Sequence, residues 1–245
     1  MSYYGVTETG LKRKSNQDYF KTAIIGNSDV AVLCDGMGGA AGGAVASKLA
    51  ADSFMEYIEN NSNKITDNKE DIKKLMLDAG DTAHHSVYKC ACEYSELDGM
   101  GTTLVACIIK NKILHIINAG DSRLYIINKN EIKKITRDHS LVQELLERGK
   151  ITAEEARTHP YRNYIMRALG TEENLSYDYY EYSDDFKTVV LCSDGLYNFI
   201  SEDDIVNIIN TDKDVKDKLN ELVDGANNSG GGDNITVILF ENNIL

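Results

Sequence analysis

Five aspartates stand where apolar stretches begin or end, and their carboxylates are the residues best placed to do chemistry. The sequence V-L-C-D-G at 32–36 is echoed by V-L-C-S-D-G at 190–195. Asp35 and Asp194 therefore follow runs that predict buried strands, and Asp233 precedes another. Asp121, in N-A-G-D-S-R, and Asp18, in N-Q-D, lie at further strand boundaries. If these strands are neighbours, the carboxylates converge at one end of the sheets.

Such a cluster needs a cation or bound protons. Two carboxylates about 4 Å apart repel each other by about 4 kcal/mol at an effective dielectric near 20, and three or more cannot all stay ionised at neutral pH without help. Oxygen ligands favour Mg²⁺ or Mn²⁺ over zinc. The pair Cys90 and Cys92 is too tightly spaced for a zinc site and lies in a helical pattern. The alternative is that each aspartate caps a separate turn, since Asp-Gly is a common turn pair; spacing alone leaves both readings open.

The glycines after Asp35 also half-resemble a nucleotide-binding loop. The pattern Gly36-x-Gly38-x-x-Ala41 lies between a predicted strand and a predicted helix. Asp35 would then face the pyrophosphate with a negative charge, and the expected β-α-β unit with its acidic residue is missing. A Walker-type loop fails because no Gly-Lys-Ser/Thr follows. We therefore reject a nucleotide fold.

The elements that position the aspartates alternate between helical layers and antiparallel strands. Helical spacing of apolar residues appears at 40–61, 69–95, 201–210 and 214–227, and strand-like runs at 3–9, 18–25, 30–35, 102–109, 112–118, 123–128, 131–136, 176–182, 187–193 and 234–241. Short connections join most of the strands at 102–136, which indicates an antiparallel meander. Residues 140–172 are more polar and contain Pro160, and Thr152 with Glu155 could form a capping box. No linker divides the chain, which predicts one α+β domain.

Composition narrows the class of protein. The chain has 245 residues with a net charge of −13, from 39 acidic and 26 basic side chains, so nucleic acid is not an expected partner. No apolar run approaches the length of a membrane span, and we expect no secretory signal, because the first residues have neither a basic start nor an apolar stretch. Cys34, Cys107 and Cys192 lie inside apolar runs, which indicates buried free thiols in a reducing compartment. We expect a cytoplasmic protein without membrane partners.

Taken together in chain order, the motifs resemble the metal-dependent serine/threonine protein phosphatases of type 2C (PPM), in their compact bacterial form. The matching segments are G-x-x-R-x-x-N-Q-D at 10–18, D-G-M-G-G at 35–39, G-T-T at 101–103, N-A-G-D-S-R at 118–123, T-x-D-H-S at 136–140, R-A-L-G at 167–170, C-S-D-G-L at 192–196 and G-D-N-I-T-V at 232–237. The resemblance implies a four-layer α-β-β-α sandwich of two antiparallel sheets flanked by helices. It also implies one catalytic domain over 1–245, with a flap-like segment around 145–168.

The resemblance implies a metal role for each matching acid. Asp35 would bridge two Mn²⁺ or Mg²⁺ ions, and the carbonyl of Gly36 would bind one of them. Asp194 and Asp233 would complete the first site, while Asp18 would hold waters of the second.

Three further residues receive roles from the same resemblance. Asp121, with Asp194, would support a third, weaker ion found in bacterial members. Thr158, in A-R-T-H-P, matches a flap position that reaches this ion in some relatives. Arg13 would grip the substrate phosphate, a task that suits its planar fork of donors.

The implied reaction is hydrolysis of phosphoserine and phosphothreonine in proteins by a water molecule that two cations share. A bacterial serine/threonine kinase and its targets would be the partners, and we expect a monomer. Met37 stands where many eukaryotic relatives have a candidate general acid, His, so protonation of the leaving group by a metal-bound water is the working hypothesis. Gln17 replaces an acid and removes one charge from the second site. His139 is expected to be structural, His84 and His85 to be surface residues, and His159 to lie in the flap.

Two alternatives stay open at this point. One is a relative specialised for a single regulatory phosphoprotein, such as an anti-sigma antagonist. The other is a catalytically inactive binding module of the same fold, although such a module has no need for clustered negative charge.

Overall fold

The order of strands and helices follows the apolar patterns of the sequence. The computed structural model describes residues 1–129 and 131–242, and within them eleven strands and seven α-helices form. The strands are β1 (Ser2–Glu8), β2 (Asp18–Ile25), β3 (Ser28–Met37), β4 (Gly101–Thr102), β5 (Leu104–Lys110), β6 (Ile113–Ala119), β7 (Arg123–Asn128), β8 (Glu131–Lys134), β9 (Asp178–Tyr182), β10 (Thr188–Cys192) and β11 (Ile235–Glu241). The helices are α1 (Gly39–Asn60), α2 (Lys69–Glu93), α3 (Leu141–Glu147), α4 (Ala153–Thr158), α5 (Asp194–Tyr197), α6 (Glu202–Ile209) and α7 (Val215–Asn228).

Two antiparallel sheets face each other. One has the order β1-β11-β10-β7-β8, and the other has the order β2-β3-β5-β6-β9 with the short β4 paired to β3. No β-α-β crossover joins the strands around Asp35, because β3 pairs antiparallel with both β2 and β5. The fold is the α+β arrangement expected above, and the nucleotide-binding alternative is excluded.

Three apolar cores separate the four layers. In β3, Val30, Val32 and Cys34 face helices α1 and α2, whereas Ala31 and Leu33 face the other sheet. This alternation is what a strand buried on both faces requires, since successive side chains point to opposite sides. A third core packs α5, α6 and α7 against the outer face of the β1-β11-β10-β7-β8 sheet. The layers therefore run helix, sheet, sheet, helix.

Several local predictions are confirmed. Thr152 and Glu155 form a reciprocal capping box at the start of α4. Cys34, Cys107 and Cys192 are buried free thiols. None of the helices within the described ranges combines the length and apolar character that a bilayer span needs.

One expectation about the helices is wrong. His84 on α2 is buried, whereas His85 is exposed as expected. The reason is the chain after Leu169, which packs over α2: the Gly170 N–H donates to His84 Nδ1 at 3.2 Å, and the other ring nitrogen lies 3.3 Å from the Glu173 carbonyl. Burial lowers the pKa of His84, so the ring is neutral.

The strand that carries Asp35 is longer than its apolar run. It continues to Met37 because Gly36 pairs with Thr102 and Met37 with Gly101. Beyond it the chain must turn sharply into α1, and Gly38, with φ of 106°, makes that turn in a conformation that disfavours a side chain.

The backbone at Gly36 passes very close to that at Gly43, and this close approach fixes the turn. A β-carbon on Gly36 would lie 2.0 Å from the Gly43 carbonyl oxygen and 2.6 Å from that of Gln17. The start of α1 thus lies against the end of β3 at a distance that only glycine permits.

We predict that Gly36→Ala lowers the free energy of unfolding by more than about 2 kcal/mol, because the added methyl group meets backbone that cannot move aside. Urea denaturation in excess chelator measures this without a contribution from bound metal.

Gly225→Ala is the matched control. Gly225 lies within α7, where the nearest atom to an added β-carbon is Ile200 Cγ2 at 3.4 Å, an ordinary contact. Alanine should leave stability unchanged or raise it by about 0.5 kcal/mol, through its higher helix propensity. Equal losses for both variants would contradict the close approach as the cause.

Candidate metal centre

Asp18 and Asp35 face each other across two neighbouring strands. They are cross-strand partners in the β2–β3 register, and directly opposed residues of an antiparallel pair have β-carbons about 5 Å apart. The backbone around Asp35 is also fixed from the β4–β5 side, since its N–H donates to Thr103 Oγ1 at 3.0 Å and its carbonyl accepts from the Thr103 N–H at 2.9 Å.

Asp18 is buried with only half of its carboxylate satisfied. Oδ2 accepts a hydrogen bond from Ser193 Oγ at 2.7 Å, and the same hydroxyl accepts from the Thr236 N–H at 3.0 Å. Oδ1 has no hydrogen-bond partner. Burial raises the pKa of Asp18 to about 6, against the opposing effect of the Ser193 hydrogen bond. A buried carboxylate oxygen without a donor is an available ligand position.

Asp194 and Asp233 come from the adjacent strands β10 and β11. Asp194 is the first residue of α5, two positions after β10 ends, and its Oδ2 accepts from Asn198 Nδ2 at 3.1 Å. Asp233 precedes β11, and its Oδ1 accepts from the Asn234 N–H at 2.8 Å. Burial and then the charges of Asp121 and Asp233 raise the pKa of Asp194 well above its usual value.

Asp121 joins the cluster from the turn between β6 and β7. It is buried, and its Oδ1 has no hydrogen-bond partner. Burial, followed by the charge of Asp138, raises its pKa to about 6, while Arg123 acts in the opposite direction.

Asp35 lies electrostatically at the centre of the group. Burial raises its pKa well above the usual range, and the charges of Asp18, Asp194, Asp121 and Asp233 add to the shift in that order. The structure therefore brings together all five aspartates that the sequence singled out.

The donor set fits a hard divalent cation. All the side-chain donors are carboxylate oxygens, and two of them, Asp18 Oδ1 and Asp121 Oδ1, are buried without a partner. Over residues 1–129 and 131–242, no three His, Cys, Asp or Glu side chains are spaced to hold one ion by themselves. An ion here would keep part of its hydration shell, as Mg²⁺ commonly does in proteins.

Arg13 reaches the cluster from the loop between β1 and β2. Its Nη2 lies 2.7 Å from Asp233 Oδ2, and the side chain is 49% exposed. This hydrogen bond, more than any other contact, raises the pKa of Arg13. The guanidinium therefore lies beside the carboxylates and still faces solvent.

The loop that carries Arg13 is held by the turn before β11. Asn234 accepts from the Gln17 N–H at 2.9 Å and donates to the carbonyls of Thr9 at 2.9 Å and Ser15 at 3.0 Å. The Gly231 carbonyl accepts from the Leu11 N–H at 2.8 Å. Asn234 is buried, so these bonds fix the loop on the same turn that carries Asp233.

A cavity of about 1270 Å³ opens over the site. Asp121, Asp194, Asp233 and Arg13 line it together with residues of the segment around 145–168. Thr158, the exposed last residue of α4, is among these, and no hydrogen bond joins it to Asp121 within the described part of the chain.

His139 does not take the place of the acid missing at Met37. His139 is buried and lines a different cavity of about 400 Å³. Its Nδ1 accepts from the Gly120 N–H at 3.1 Å, and Nε2 lies 3.1 Å from Asp178 Oδ2. The expected structural role of His139 agrees with these contacts.

Sequence reasoning missed the polar residues that hold the carboxylates in place. Ser193 and Asn234 are the neighbours of Asp194 and Asp233 in the quoted motifs. A polar residue next to a predicted buried strand is the sequence feature that indicates such a role. Tyr197 stands three residues after Asp194, one helical turn on, but nothing in the sequence indicates its contact with Asp121. Gln17 was noted only for its missing charge, whereas its side chain donates to the Gly39 carbonyl at 2.8 Å.

Comparison with known proteins agrees with this geometry. The family model described as "Protein phosphatase 2C" matches residues 11–233. The serine/threonine phosphatase stp of Listeria welshimeri is 35% identical over 243 residues, which cover 98% of this chain and 95% of that protein. Among solved structures, the serine/threonine phosphatase Stp1 of Staphylococcus aureus matches with a TM-score of 0.92 and 33% identity, covering 98% of this chain and 94% of that one.

A second solved structure bears on the metal. The catalytic domain of the serine/threonine protein phosphatase PstP, in complex with two manganese ions, matches with a TM-score of 0.84 and 29% identity, covering 97% of this chain and 96% of that one.

We predict that the metal-free chain becomes more stable as the pH falls from about 7.5 to about 5. Asp18 and Asp121 titrate near 6 in the folded chain but near about 3.9 in the unfolded chain. The folded state therefore binds more protons in this window, and the free energy of unfolding should rise by about 2 kcal/mol. Thermal unfolding in excess chelator measures this, and a melting temperature that falls steadily over the same range would contradict it.

The stabilisation of the folded chain by added Mn²⁺ should have the opposite dependence on pH. Mn²⁺ should raise the melting temperature most at pH about 7.5, since it binds only the folded state, and least at pH about 5, where protons compete for the carboxylates. Asp18→Asn should reduce both the pH dependence and the Mn²⁺ response.

Proposed function

Because the chain belongs to the protein phosphatase 2C family and is a protein serine/threonine phosphatase, we propose that it hydrolyses phosphoserine and phosphothreonine at the five-aspartate cluster with the help of Mn²⁺ or Mg²⁺. The observation that carries this proposal is the convergence of Asp18, Asp121, Asp194 and Asp233 around Asp35. Burial and then these four negative charges raise the pKa of Asp35, and bound divalent cations would relieve that repulsion.

The aspartates take different parts in holding the ions. Asp35, with the other four charges around it, would hold both ions, and the carbonyl of Gly36, the next residue, would help to hold one of them. Asp194 and Asp233 extend from neighbouring strands to one side, and Asp18 faces Asp35 on the other. Asp121, whose charge is the first to raise the pKa of Asp194 after burial, would hold a third and weaker ion together with Asp194.

When bound, such ions lower the pKa of water and offset negative charge on phosphate oxygens. Arg13 is the residue that binds the phosphate of the substrate. Its Nη2 is engaged by Asp233, and its other donors make no hydrogen bond to the described residues. The planar guanidinium can therefore donate two parallel hydrogen bonds to a phosphate, which a lysine cannot do. Arg13 thus holds the substrate against the cluster and offsets part of the repulsion between an anionic substrate and an acidic protein.

The cavity supports a protein substrate rather than a small phosphate ester alone. Its volume of about 1270 Å³ exceeds what one phosphoamino acid fills. Thr158 and its neighbours in the segment around 145–168 line the same cavity as Asp121, Asp194 and Asp233, which supports the role of that segment as a flap over the bound chain. A bacterial serine/threonine kinase and its targets are the partners we propose.

We predict that Asp35→Asn lowers the rate of phosphothreonine-peptide hydrolysis by more than about 100-fold, because the central negative charge is lost from the metal site. The assay uses saturating Mn²⁺, and thermal unfolding confirms that the variant folds. Activity within a few-fold of the unsubstituted chain would reject the bridging role.

Asp29→Asn is the matched control for this substitution. Asp29 lies at the opposite end of β3 and, six residues away, on the same face as Asp35. It should retain activity, since only its own burial and not the acidic cluster raises its pKa.

Metal removal tests the cofactor directly. Excess chelator should abolish hydrolysis, and Mn²⁺ or Mg²⁺ in excess should restore it. Unchanged turnover in chelator would overturn the metal-dependent mechanism.

Substrate breadth separates the general phosphatase from the specialist. A panel of phosphoserine and phosphothreonine peptides of varied sequence should be hydrolysed at comparable rates by the general enzyme. Inactivity on every peptide, together with turnover of a single phosphoprotein, would favour the specialised alternative.

A further inference from the structure

The turn that carries Asp121 is held at each of its residues. The Gly120 carbonyl accepts from the His139 N–H at 2.9 Å, and its own N–H donates to the His139 ring. The Ser122 hydroxyl lies 2.7 Å from Thr103 Oγ1, which also accepts from the Asp35 N–H. The turn is therefore tied to the backbone of the central aspartate as well as to its own neighbours.

At Asp121 itself the contact comes from Tyr197. The Tyr197 hydroxyl donates to the Asp121 main-chain carbonyl at 3.0 Å. Burial, followed by the charge of Asp121, raises the pKa of the Tyr197 phenol. Tyr197 belongs to α5, the helix that Asp194 begins. One short helix thus supplies one acid of the cluster and the contact that holds another.

Arg123 holds the ring of Tyr197 in place. The guanidinium carbon lies 3.4 Å from the centroid of the Tyr197 ring, a stacking distance. The same guanidinium forms a two-pronged ion pair with Asp138, at 2.7 Å from Nη2 to Oδ2 and 3.1 Å from Nε to Oδ1. Its Nη1 donates to Tyr125 at 2.9 Å. Each nitrogen of the Arg123 guanidinium thus donates a hydrogen bond, and the Tyr197 ring covers one of its faces. These contacts fix the position of Arg123 beside Tyr197.

We infer that Tyr197, stacked on Arg123, is a positioning residue that orients Asp121 toward the cation it would share with Asp194. The inference rests on the proposed function. It follows from two facts together. Asp121 has a buried Oδ1 with no partner, and within residues 1–129 and 131–242 the only side-chain hydroxyl that donates to Asp121 comes from α5, the helix that also presents Asp194. Groups that orient a ligand in this way commonly change metal affinity about 10- to 100-fold when removed.

A purely structural explanation makes a different prediction. The Tyr197 ring also packs against the apolar core beneath α5, α6 and α7. Phenylalanine keeps that packing and the stack on Arg123 but removes the hydroxyl. Tyr197→Phe therefore separates packing from positioning.

The test is calorimetric titration of the chelator-stripped full chain with Mn²⁺. We expect Tyr197→Phe to weaken the lowest-affinity Mn²⁺ binding about tenfold or more, with the tighter binding changed less than about twofold. Asp121→Asn identifies the binding step that belongs to Asp121, and adding Tyr197→Phe to that variant should have no further effect, since Tyr197 acts through Asp121.

Tyr125→Phe is the matched control, because Tyr125 contacts the same arginine but not Asp121. It should leave every Mn²⁺ affinity unchanged, as the ion pair with Asp138 still holds Arg123. The inference is overturned if Tyr197→Phe leaves the weak binding intact, if it weakens all binding equally, if Tyr125→Phe has the same effect, or if the unsubstituted chain binds only two ions.

A parallel assay of phosphothreonine-peptide hydrolysis distinguishes failure of the proposed function from failure of the inference. A chain that hydrolyses no phosphopeptide but shows the expected Mn²⁺ pattern contradicts the proposed function and leaves the role of Tyr197 supported. A chain that is active with Mn²⁺ but whose Mn²⁺ binding is unchanged by Tyr197→Phe supports the proposed function and contradicts the role of Tyr197.

Discussion

The repulsion among five buried or half-buried aspartates is the constraint on which the site depends. Burial raises the pKa of Asp35, Asp194 and Asp121, and neighbouring negative charges raise it further, while Arg13 and Arg123 are the cations that oppose the shifts of Asp194 and Asp121. Left to themselves, the side chains would take up protons or move apart. The fold prevents separation because Asp18 and Asp35 are fixed in strand register and because Asp121, Asp194 and Asp233 lie next to strand ends. Folding energy from the three apolar cores thus maintains a charge arrangement that cations stabilise.

Hydrogen bonds from neighbouring polar residues hold the five aspartates in defined positions despite their mutual repulsion. Ser193 satisfies one oxygen of Asp18 and leaves the other open, and Thr103 links the backbone of Asp35 to the turn of Asp121. Asn234 ties the Arg13 loop to the turn of Asp233. These are neutral donors and acceptors, so they fix position without cancelling the charge that a metal ion requires. Neutral polar residues therefore orient the carboxylates, and cations would balance their charge.

Much of this could be predicted from the sequence, and the exceptions share a physical cause. The apolar runs before Asp35 and Asp194 indicated buried strands because periodicity is a local property, and the motifs in family order indicated the sandwich. The burial of His84 could not be predicted, because it depends on a segment some ninety residues later that covers α2. The extension of β3 to Met37 depends in the same way on the two-residue strand β4. Tyr197 is the sharpest case: its hydroxyl meets Asp121 only after two sheets and a helix are in place.

The pairing of β1 with β11 has a consequence for how the protein is made. Residues 2–8 lie beside residues 235–241, and the loop that follows β1 is anchored by Asn234. During synthesis the chain emerges from its N-terminal end, so β1 and Arg13 are made more than two hundred residues before β11 and Asp233, their partners. Contacts of such long separation in sequence slow folding. A chain that is terminated before residue 233 therefore lacks both Asp233 and the Asn234 contacts that hold the loop of Arg13.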